Sequence, residues 1–466
     1  MRLWSIRVPV ASTIILVLLV TMFSGLVLPG CAPKQPAEPL KTQEELEGMA
    51  KEFVLALAEG NYEDARKEFD KKMAAAAPAA KLSELWTGIV SQASDWQKIT
   101  GTRFAEESGY RVVYVTGLFE KGSLDIKVVF DKQGKISGLW LGTLESSEYK
   151  APGYAGQSLF TEEEVVVGAG KWALPGTLSM PAGIAAGDRV PAVVLVHGSG
   201  PNDRDETIGP NKPFKDLAWG LASRGIAVLR YEKRTREHGV EFAQDTTEAR
   251  NITVKEETID DAVLAVRLLK NVEEIDPDRI FVVGHSLGAT VGPRIAEASI
   301  RIAGLVMMAP TSRNLVDLIP EQIEYLANLD GNVDESESKQ IQEVRAAVET
   351  INSGRLKEGE MVLGAPKSYW DDLAAHNQVE VAKQLTLPIL ILQGERDYQV
   401  TMVDLNGWKT ALSGKSNVSI KTYPDLNHLF MSGSGKSTPD EYAVPSNVSE
   451  EVVNDIAEWV KRVVGS

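Results

Sequence analysis

The strongest constraint on the fold is an alternation of short apolar segments with amphipathic ones, which begins after residue 160. Residues 190–196 form an apolar run typical of a buried parallel strand, and residues 214–224 predict a helix that ends at Gly225. Further strand-like runs lie at residues 226–231, 279–284, 302–308, 385–392 and 418–423. Repeated strand–helix units predict a mostly parallel sheet with helices on both faces, and ligands then bind beyond the carboxyl ends of its strands.

One of these strand-like runs leads directly into the sequence Gly284-His-Ser-Leu-Gly288. Apolar residues 280–283 precede it, and residues 289–298 predict a helix. A strand, a sharp turn and a helix are what a nucleophile elbow requires, with glycines where two backbones pass closely. The turn lifts the hydroxyl of Ser286 off the sheet and points the amide of Leu287 at a developing oxyanion. Ser286 is therefore the candidate nucleophile.

A serine hydroxyl needs a base to take its proton, and the sequence contains five histidines. His428 follows the last predicted strand, in a loop that should overhang the serine. His285 lies inside the elbow and should point elsewhere. The charged loop around His238 predicts a solvated side chain, and His376 lies in a helical insert. His428 is therefore the candidate base.

An acid must hold that base in the correct tautomer. Asp397 follows the strand-like run that ends at residue 394, so it should lie at a carboxyl end. Asp425 is close to His428 in the same loop, and Asp404 should lie on the next helix. The spacing therefore favours Asp397 over these two rivals.

The chain order of nucleophile, acid and base resembles that of the α/β-hydrolase family. The resemblance covers roughly residues 160–466 and implies an eight-stranded, mostly parallel sheet. Further matching segments are residues 174–178, 197–201, 230–234 and 394–400.

The same resemblance implies a role for the loop that begins at His197. In the family, this loop supplies the second amide of the oxyanion hole. The role carries over to Ser199, with Gly200 as the alternative, while His197 is expected to be a structural loop histidine.

A helical insert is predicted between the nucleophile and the acid. Residues from about 311 to 383 have helical apolar spacing and an acidic stretch, and we interpret them as a cap over the active site. Tyr369 and Trp370 are candidates for lining the pocket, with ordinary packing as the alternative.

A smaller domain is predicted ahead of the hydrolase part, at residues 43–148. Residues 42 to about 99 have helical spacing, and three short strands are predicted near residues 110, 124 and 136. This α+β plan resembles the cystatin/NTF2-like domains found ahead of bacterial hydrolases. It contains no nucleophile or ligand cluster in its sequence, so we interpret it as a structural or partner-contacting module.

The first 31 residues predict a targeting segment. Arg2 and Arg7 precede an uncharged, mostly apolar run from residue 8 to residue 30, followed by Cys31. This resembles a bacterial lipoprotein signal, in which the cysteine is lipidated; Pro29 departs from that pattern. The alternative is an uncleaved signal anchor. Either segment places the rest outside the cytoplasmic membrane, anchored or secreted, behind a linker at residues 32–42.

Composition excludes several classes of function. The chain has 466 residues with 49 basic and 65 acidic side chains, a net charge of −16 that argues against nucleic-acid binding. A single cysteine excludes an intramolecular disulfide and a zinc finger, and no metal or organic cofactor is implied.

The sequence therefore predicts a serine hydrolase that cleaves small or medium acyl esters through an acyl-enzyme. A peptidase or an acyltransferase with the same triad is the alternative within the enzymes. A non-catalytic binding protein of the cell envelope is the alternative outside them.

Overall fold

The computed structural model describes residues 41–107, 110–119, 122–145, 149–243, 247–299 and 301–464. The predicted signal segment at residues 1–31, with Cys31, and residues 32–40 of the predicted linker lie outside the described residues. Among the helices within those ranges, none has the length and apolar character needed to cross a bilayer.

The first part of the described chain consists of four helices followed by an antiparallel sheet. Thr42 caps the first helix, because its hydroxyl accepts from the Glu45 amide while the Glu45 carboxylate accepts from the Thr42 amide. The elements are α1 (Gln43–Ala58), α2 (Tyr62–Ala65), α3 (Lys71–Ala76), α4 (Ala79–Ala93), β1 (Trp96–Glu107), β2 (Tyr110–Phe119), β3 (Gly122–Phe130) and β4 (Ile136–Glu145). The sheet order is β1-β2-β3-β4, and apolar side chains of α1 and α4 pack against it.

The prediction of helix to about residue 99 was wrong at its end. α4 stops at Ala93, and Ser94 has a φ of 64°, which breaks the helix. β1 then starts at Trp96, whose ring packs 5.5 Å from Trp86 and 5.2 Å from Phe119. Most of β1 is exposed or half-buried at the sheet edge, so its apolar alternation is weak.

The larger part contains an eight-stranded sheet in the order β14-β13-β10-β9-β7-β8-β6-β5. The pairs β5–β6 and β6–β8 are antiparallel, and the pairs from β8 to β14 are parallel. The strands are β5 (Phe160–Val167), β6 (Leu174–Pro181), β7 (Val190–Val196), β8 (Ala227–Tyr231), β9 (Ile275–His285), β10 (Gly304–Met308), β13 (Ile389–Gly394) and β14 (Val418–Tyr423), with the short pair β11 (Met361–Val362) and β12 (Ala365–Pro366) outside this sheet.

Helices cover both faces of this sheet. Apolar residues of α9, α11 and α16 pack on one face, and those of α5 and α17 pack on the other. The helices are α5 (Pro213–Ala222), α6 (Arg234–Glu237), α7 (Gly239–Ala243), α8 (Thr247–Asn251), α9 (Asp260–Leu269), α10 (Leu287–Thr290), α11 (Gly292–Ala298), α12 (Leu315–Ala327), α13 (Glu335–Asn352), α14 (Lys367–Ala375), α15 (Gln378–Gln384), α16 (Met402–Ala411) and α17 (Glu450–Val464).

The insert between β10 and β13 is helical, as its apolar spacing indicates. α12, α13 and α14 share a small apolar core of their own. The buried residues of the first part form a core separate from those of the large sheet. The division into a small domain at 43–148 and a hydrolase part at 160–466, with an insert at about 311–383, stays a prediction.

A buried carboxylate in α5 joins two distant segments of the chain. Asp216 accepts hydrogen bonds from the Tyr149 hydroxyl at 2.8 Å, the Asn447 amide nitrogen at 3.1 Å and the Val448 backbone at 2.9 Å. Burial raises the pKa of Asp216 to about 7, although these donors act in the opposite direction. Because Tyr149 follows β4 and Val448 precedes α17, one side chain ties both segments to α5.

The parallel strands bring four loops to one edge of the large sheet. The loops after β7, β9, β13 and β14 all leave from carboxyl ends, and these carry the predicted oxyanion amides, nucleophile, acid and base.

Candidate active site

The predicted nucleophile lies on a strained turn between β9 and α10. Ser286 has a φ of 52° and a ψ of −113°, a backbone conformation that side-chain-bearing residues rarely adopt. A Cβ atom on Gly284 would lie 2.4 Å from the backbone of Gly288, and one on Gly288 would lie 2.3 Å from the oxygen of Val196. Both glycines are therefore required for the turn, as the spacing predicted.

The predicted base and acid are joined directly. His428 Nδ1 lies 2.7 Å from Asp397 Oδ2, and both side chains are buried. The other carboxylate oxygen, Oδ1, accepts from the backbone amides of Gln399 at 2.8 Å and Val400 at 3.0 Å. These bonds orient the imidazole and leave its Nε2 to exchange protons.

Gln393, which the sequence analysis did not single out, supports the acid. Its buried side-chain amide lies 3.2 Å from Asp397 Oδ2. The next residue, Gly394, lets the loop of the base approach the strand, because a Cβ there would lie 2.4 Å from the oxygen of Leu426. The end of β13 therefore fixes the position of Asp397 and how closely the loop of His428 approaches the sheet.

The structure brings the elbow and the loop of the base together through the residue before the nucleophile. The rings of His285 and His428 have centroids 4.7 Å apart, and His285 Nε2 lies 3.0 Å from the backbone oxygen of His428. Within the described part of the chain, no hydrogen bond joins Ser286 Oγ to His428 Nε2. Such bonds are often long until a substrate is bound, so the arrangement is compatible with proton transfer between them.

The loop after β7 passes beside the nucleophile. A Cβ on Gly198 would lie 3.2 Å from the Cβ of Ser286. Two side chains bind the carbonyl oxygens of this loop. Asn202 Nδ2 lies 3.0–3.3 Å from the carbonyl oxygens of residues 198–200, and Lys233 Nζ donates to the carbonyl oxygen of Gly198 at 2.8 Å. The backbone of the loop is therefore held in a defined orientation.

The amides of Leu287, at the start of α10, and of Ser199 and Gly200, in the loop after β7, have no acceptor among the described residues. They are the amides predicted for the oxyanion hole, with Gly200 as the alternative to Ser199. Ser199 is exposed and Leu287 is fully buried. Free amides on both sides of a serine are what a developing oxyanion requires.

His197 is placed as a structural residue. It is buried, with its ring centroid 5.0 Å from that of Phe214 and 5.4 Å from that of Tyr231. Burial lowers the pKa of His197 to about 4, so the ring is neutral at physiological pH.

The prediction that His238 is solvated was wrong. Its half-buried ring packs edge-on against Trp172, and its Nε2 lies 3.2 Å from the backbone oxygen of Ala173. Local charge in the sequence could not reveal that Trp172, far away in the chain, covers this ring. His376 is exposed at the end of α14.

The two rival acids serve other purposes. Asp404 is buried in the first turn of α16, where it accepts from Thr311 Oγ1 at 2.8 Å and from Arg313 Nη2 at 2.9 Å. It therefore holds the start of the insert. Asp425 is exposed, and neither carboxylate contacts His428.

The insert rests on the loop that carries the acid. Gln322 in α12 donates to the backbone oxygen of Gln399 at 2.9 Å, and the rings of Tyr325 and Tyr398 stack with centroids 4.9 Å apart. The insert is therefore fixed beside Asp397.

Tyr369 and Trp370 are packing residues rather than lining residues. Both are buried; the Tyr369 hydroxyl donates to Glu257 Oε2 at 2.7 Å, and Trp370 Nε1 donates to the oxygen of Val362 at 2.9 Å. Of the two alternatives in the sequence analysis, the structure favours packing.

Glu206 is the clearest residue that sequence reasoning missed. It is buried and has a φ of 52°, and its carboxylate reaches both Gly198 and His285. The only signal was the dense run of polar residues after the oxyanion loop, Pro201-Asn-Asp-Arg-Asp-Glu206.

In the described ranges, no cluster of three histidine, cysteine or acidic side chains is arranged to hold a metal ion.

Comparison with known proteins agrees with this architecture. A model of the alpha/beta hydrolase family matches residues 193–443, and a family described as a protein of unknown function (DUF3887) matches residues 50–139. The chain is 40% identical over 410 residues to esterase EstD of Thermotoga maritima, which covers 88% of this chain and 94% of that protein.

Two of the solved structures similar to this chain are as follows. Est1E from Butyrivibrio proteoclasticus is 16% identical, with 65% of this chain and 99% of that chain covered and a TM-score of 0.41. The Pyrococcus furiosus esterase is 17% identical, with 67% and 96% covered and a TM-score of 0.41. The family assignment depends on the sequence matches. Those matches confirm the predicted fold class, and the chain belongs to the alpha/beta hydrolase family.

Proposed function

We propose that this protein is a serine carboxylesterase that hydrolyses small or medium acyl esters. The observation that carries the proposal is the 2.7 Å contact between His428 Nδ1 and Asp397 Oδ2, in the loops beside the strained turn of Ser286. The similarity to a Thermotoga maritima protein named as an esterase supports the choice of an ester as the substrate.

The proposed reaction begins with attack by Ser286 Oγ on the acyl carbon. His428 Nε2 takes the hydroxyl proton, while Asp397 holds the other ring nitrogen and stabilises the imidazolium. The amides of Leu287 and Ser199 donate to the oxyanion of the tetrahedral intermediate.

Collapse of this intermediate breaks the bond to the alcohol oxygen, which takes the proton from His428. An acyl-enzyme remains on Ser286. A water molecule then attacks the acyl carbon as His428 takes its proton, and the second tetrahedral intermediate releases the carboxylic acid and restores the serine.

The helical insert supports a limit on acyl size. α12 is tied to the acid loop by the Gln322 hydrogen bond and the Tyr325–Tyr398 stack. An insert fixed at this position bounds the space above the nucleophile, as caps do in sites that enclose their substrates.

The test uses the full chain in mild detergent, assayed on p-nitrophenyl acetate, butyrate and laurate. Ser286→Ala is expected to lower kcat on butyrate by about 10⁶-fold, because the nucleophile is lost. Ser413→Ala, at an exposed serine after α16, is the matched control and should keep full activity.

Several outcomes would overturn the proposal. Turnover that persists in Ser286→Ala would reject the nucleophile, and a preference for laurate would reject the size class. Cleavage of peptides without esters, or turnover that requires an added alcohol or amine, would establish the peptidase or acyltransferase. A folded wild type with no turnover of any of these would favour the binding protein.

We also propose that the chain is anchored outside the cytoplasmic membrane by a lipid on Cys31. The apolar run that ends at the only cysteine of the chain supports this. Wild type should incorporate labelled palmitate and partition into a detergent phase, and Cys31→Ser should lose the label. A wild type that stays in the membrane without label would instead indicate an uncleaved signal anchor.

A further inference from the structure

A second buried pair of histidine and carboxylate lies directly beside the nucleophile. Glu206 is 2% exposed and His285 is 5% exposed. Glu206 Oε2 lies 2.9 Å from His285 Nδ1, which makes an ion pair without the alignment of a hydrogen bond. The reaction derived above uses neither residue.

The carboxylate of this pair also holds the oxyanion loop. Glu206 Oε1 accepts from the backbone amide of Gly198 at 2.6 Å. The following residue is Ser199, whose amide is one of the two proposed oxyanion donors. The positive φ of Glu206 turns its side chain inward at the cost of backbone strain, which indicates that the loop is built around this contact.

The imidazole of this pair holds the loop of the base. His285 Nε2 lies 3.0 Å from the backbone oxygen of His428. Each ring nitrogen of His285 therefore lies against an oxygen, and only the protonated ring carries a hydrogen on both nitrogens. Burial acts to lower the pKa of His285, but Glu206, the backbone oxygen of His428 and the charge of Asp397 together raise it overall.

We propose that Glu206 and His285 act as one unit that positions the amide of Ser199 and the backbone of His428 around Ser286. They are positioning residues, since they contact the loops that carry the reacting groups. The inference rests on the proposed function, because it assigns the pair to the same chemistry.

This role predicts a loss in kcat rather than in KM. The oxyanion amide and the base act on charge that develops in the transition state, and a misplaced donor or base weakens that state more than the bound substrate. At such a site, a displacement of about 1 Å lowers the reaction rate by about 10²-fold.

The test compares five variants of the full chain on p-nitrophenyl butyrate: Glu206→Ala, His285→Ala, the double alanine variant, Glu206→Gln and His285→Gln. Each rate is expressed per active site, titrated with an alkyl phosphonate that reacts with Ser286. The rate of phosphonylation is a second readout, because it requires the same nucleophile, base and oxyanion amides but no ester substrate.

Each alanine variant is expected to lower kcat and phosphonylation by about 10²-fold, with KM within about twofold. Because the two residues act as a unit, the double variant should be no slower than the slower single variant. Glu206→Gln keeps an acceptor for Gly198, and His285→Gln keeps a donor for His428, so each should recover to within about tenfold of wild type. A purely structural role would lower the number of active sites, not the rate of each.

Unchanged rates per active site in both alanine variants would overturn the proposal, as would losses that multiply in the double variant. If Glu206→Ala does not fold, the His285 variants decide the question: His285→Ala must be slow and His285→Gln must recover. A wild type that reacts with the phosphonate but not with esters rejects the proposed substrate and leaves the pair testable. A wild type that does not react at Ser286 overturns both proposals.

Discussion

The molecule contains two buried pairs of histidine and carboxylate within one site, and they differ in what the second ring nitrogen meets. In the first pair, Asp397–His428, the atoms are 2.7 Å apart, and His428 Nε2 has no acceptor among the described residues. In the second pair, Glu206–His285, they are 2.9 Å apart, and His285 Nε2 faces a backbone oxygen at 3.0 Å. A ring that keeps one nitrogen free can exchange protons with a substrate, whereas a ring with a protein oxygen against each nitrogen has none left for a substrate.

The two carboxylates differ in the same way. Asp397 accepts from two amides in its own loop, so it is fixed locally at the end of β13. Glu206 instead accepts from Gly198, in the loop beside the nucleophile. The first acid orients one base, and the second connects the oxyanion loop to the elbow.

Among changes within the two pairs, removal of the charge from the first pair should have the largest effect on activity. Asp397→Asn is expected to lower kcat by about 10⁴-fold, because it favours the wrong tautomer of His428. Glu206→Gln, the matched change in the second pair, should lose no more than about tenfold. Steady-state hydrolysis of p-nitrophenyl butyrate measures both, and equal losses would remove the distinction between the pairs.

For stability, we expect the order of the two pairs to be the reverse of their order for activity. Glu206→Ala leaves His285 buried without its partner, which is expected to cost about 3–5 kcal/mol in the free energy of unfolding. Replacing both members by apolar residues, Glu206→Leu with His285→Phe, should cost less, since no unpaired charge remains. Urea denaturation followed by tryptophan fluorescence measures the difference. A double variant that is less stable than Glu206→Ala would contradict the ion-pair account.

The smallest expected effect is the pH dependence of the second pair. Burial acts to raise the pKa of Glu206, but His285, His197 and the backbone amide of Gly198 together lower it overall. Its contribution to stability is therefore present above the unfolded value and is lost as pH falls through the folded value. The pKa of His285 is raised, so its contribution is present below the unfolded value of about 6.5 and is lost as pH rises through the folded value.

The stabilisation by this pair should therefore be greatest between about pH 4.3 and 6.5 and decline on both sides, by at most about 1.4 kcal/mol per pH unit for each proton. The measurement is the difference in unfolding free energy between wild type and the Leu/Phe double variant, followed from below about pH 4.3 to above about pH 8. The neighbouring titratable groups that act on the pair, His197 and Asp397, are present in both proteins. A difference in unfolding free energy that grows above pH 8 would contradict the predicted direction of the pH dependence.

The parts of the fold that could be predicted from sequence are those in which local pattern and position in the sheet agree. Apolar runs mark the buried parallel strands, and the predicted triad residues lie in loops at their carboxyl ends, as the topology demands. Ser286 carried the clearest signal, because its glycines are needed by the turn itself.

The parts that could not be predicted depend on contacts between segments distant in the chain. β1 is an edge strand with few buried positions, so its pattern is weak. His238 is covered by Trp172. The contacts of Glu206 form only when the ends of β7 and β9 bring Gly198 and His285 close to its carboxylate. A polar residue in a turn gives no sign of which distant partners it will meet.

The carboxylate of Asp216 also has a consequence for how this protein can be dissected. The residues that follow the small sheet and those that precede the last helix meet on this one side chain, through Tyr149 and Val448. An excised hydrolase that starts after Tyr149 would lack one of the donors to a carboxylate sealed from water, although its own strands and helices are complete. A cut that keeps all the donors to Asp216 must therefore fall before Tyr149, several residues ahead of the first strand of the large sheet.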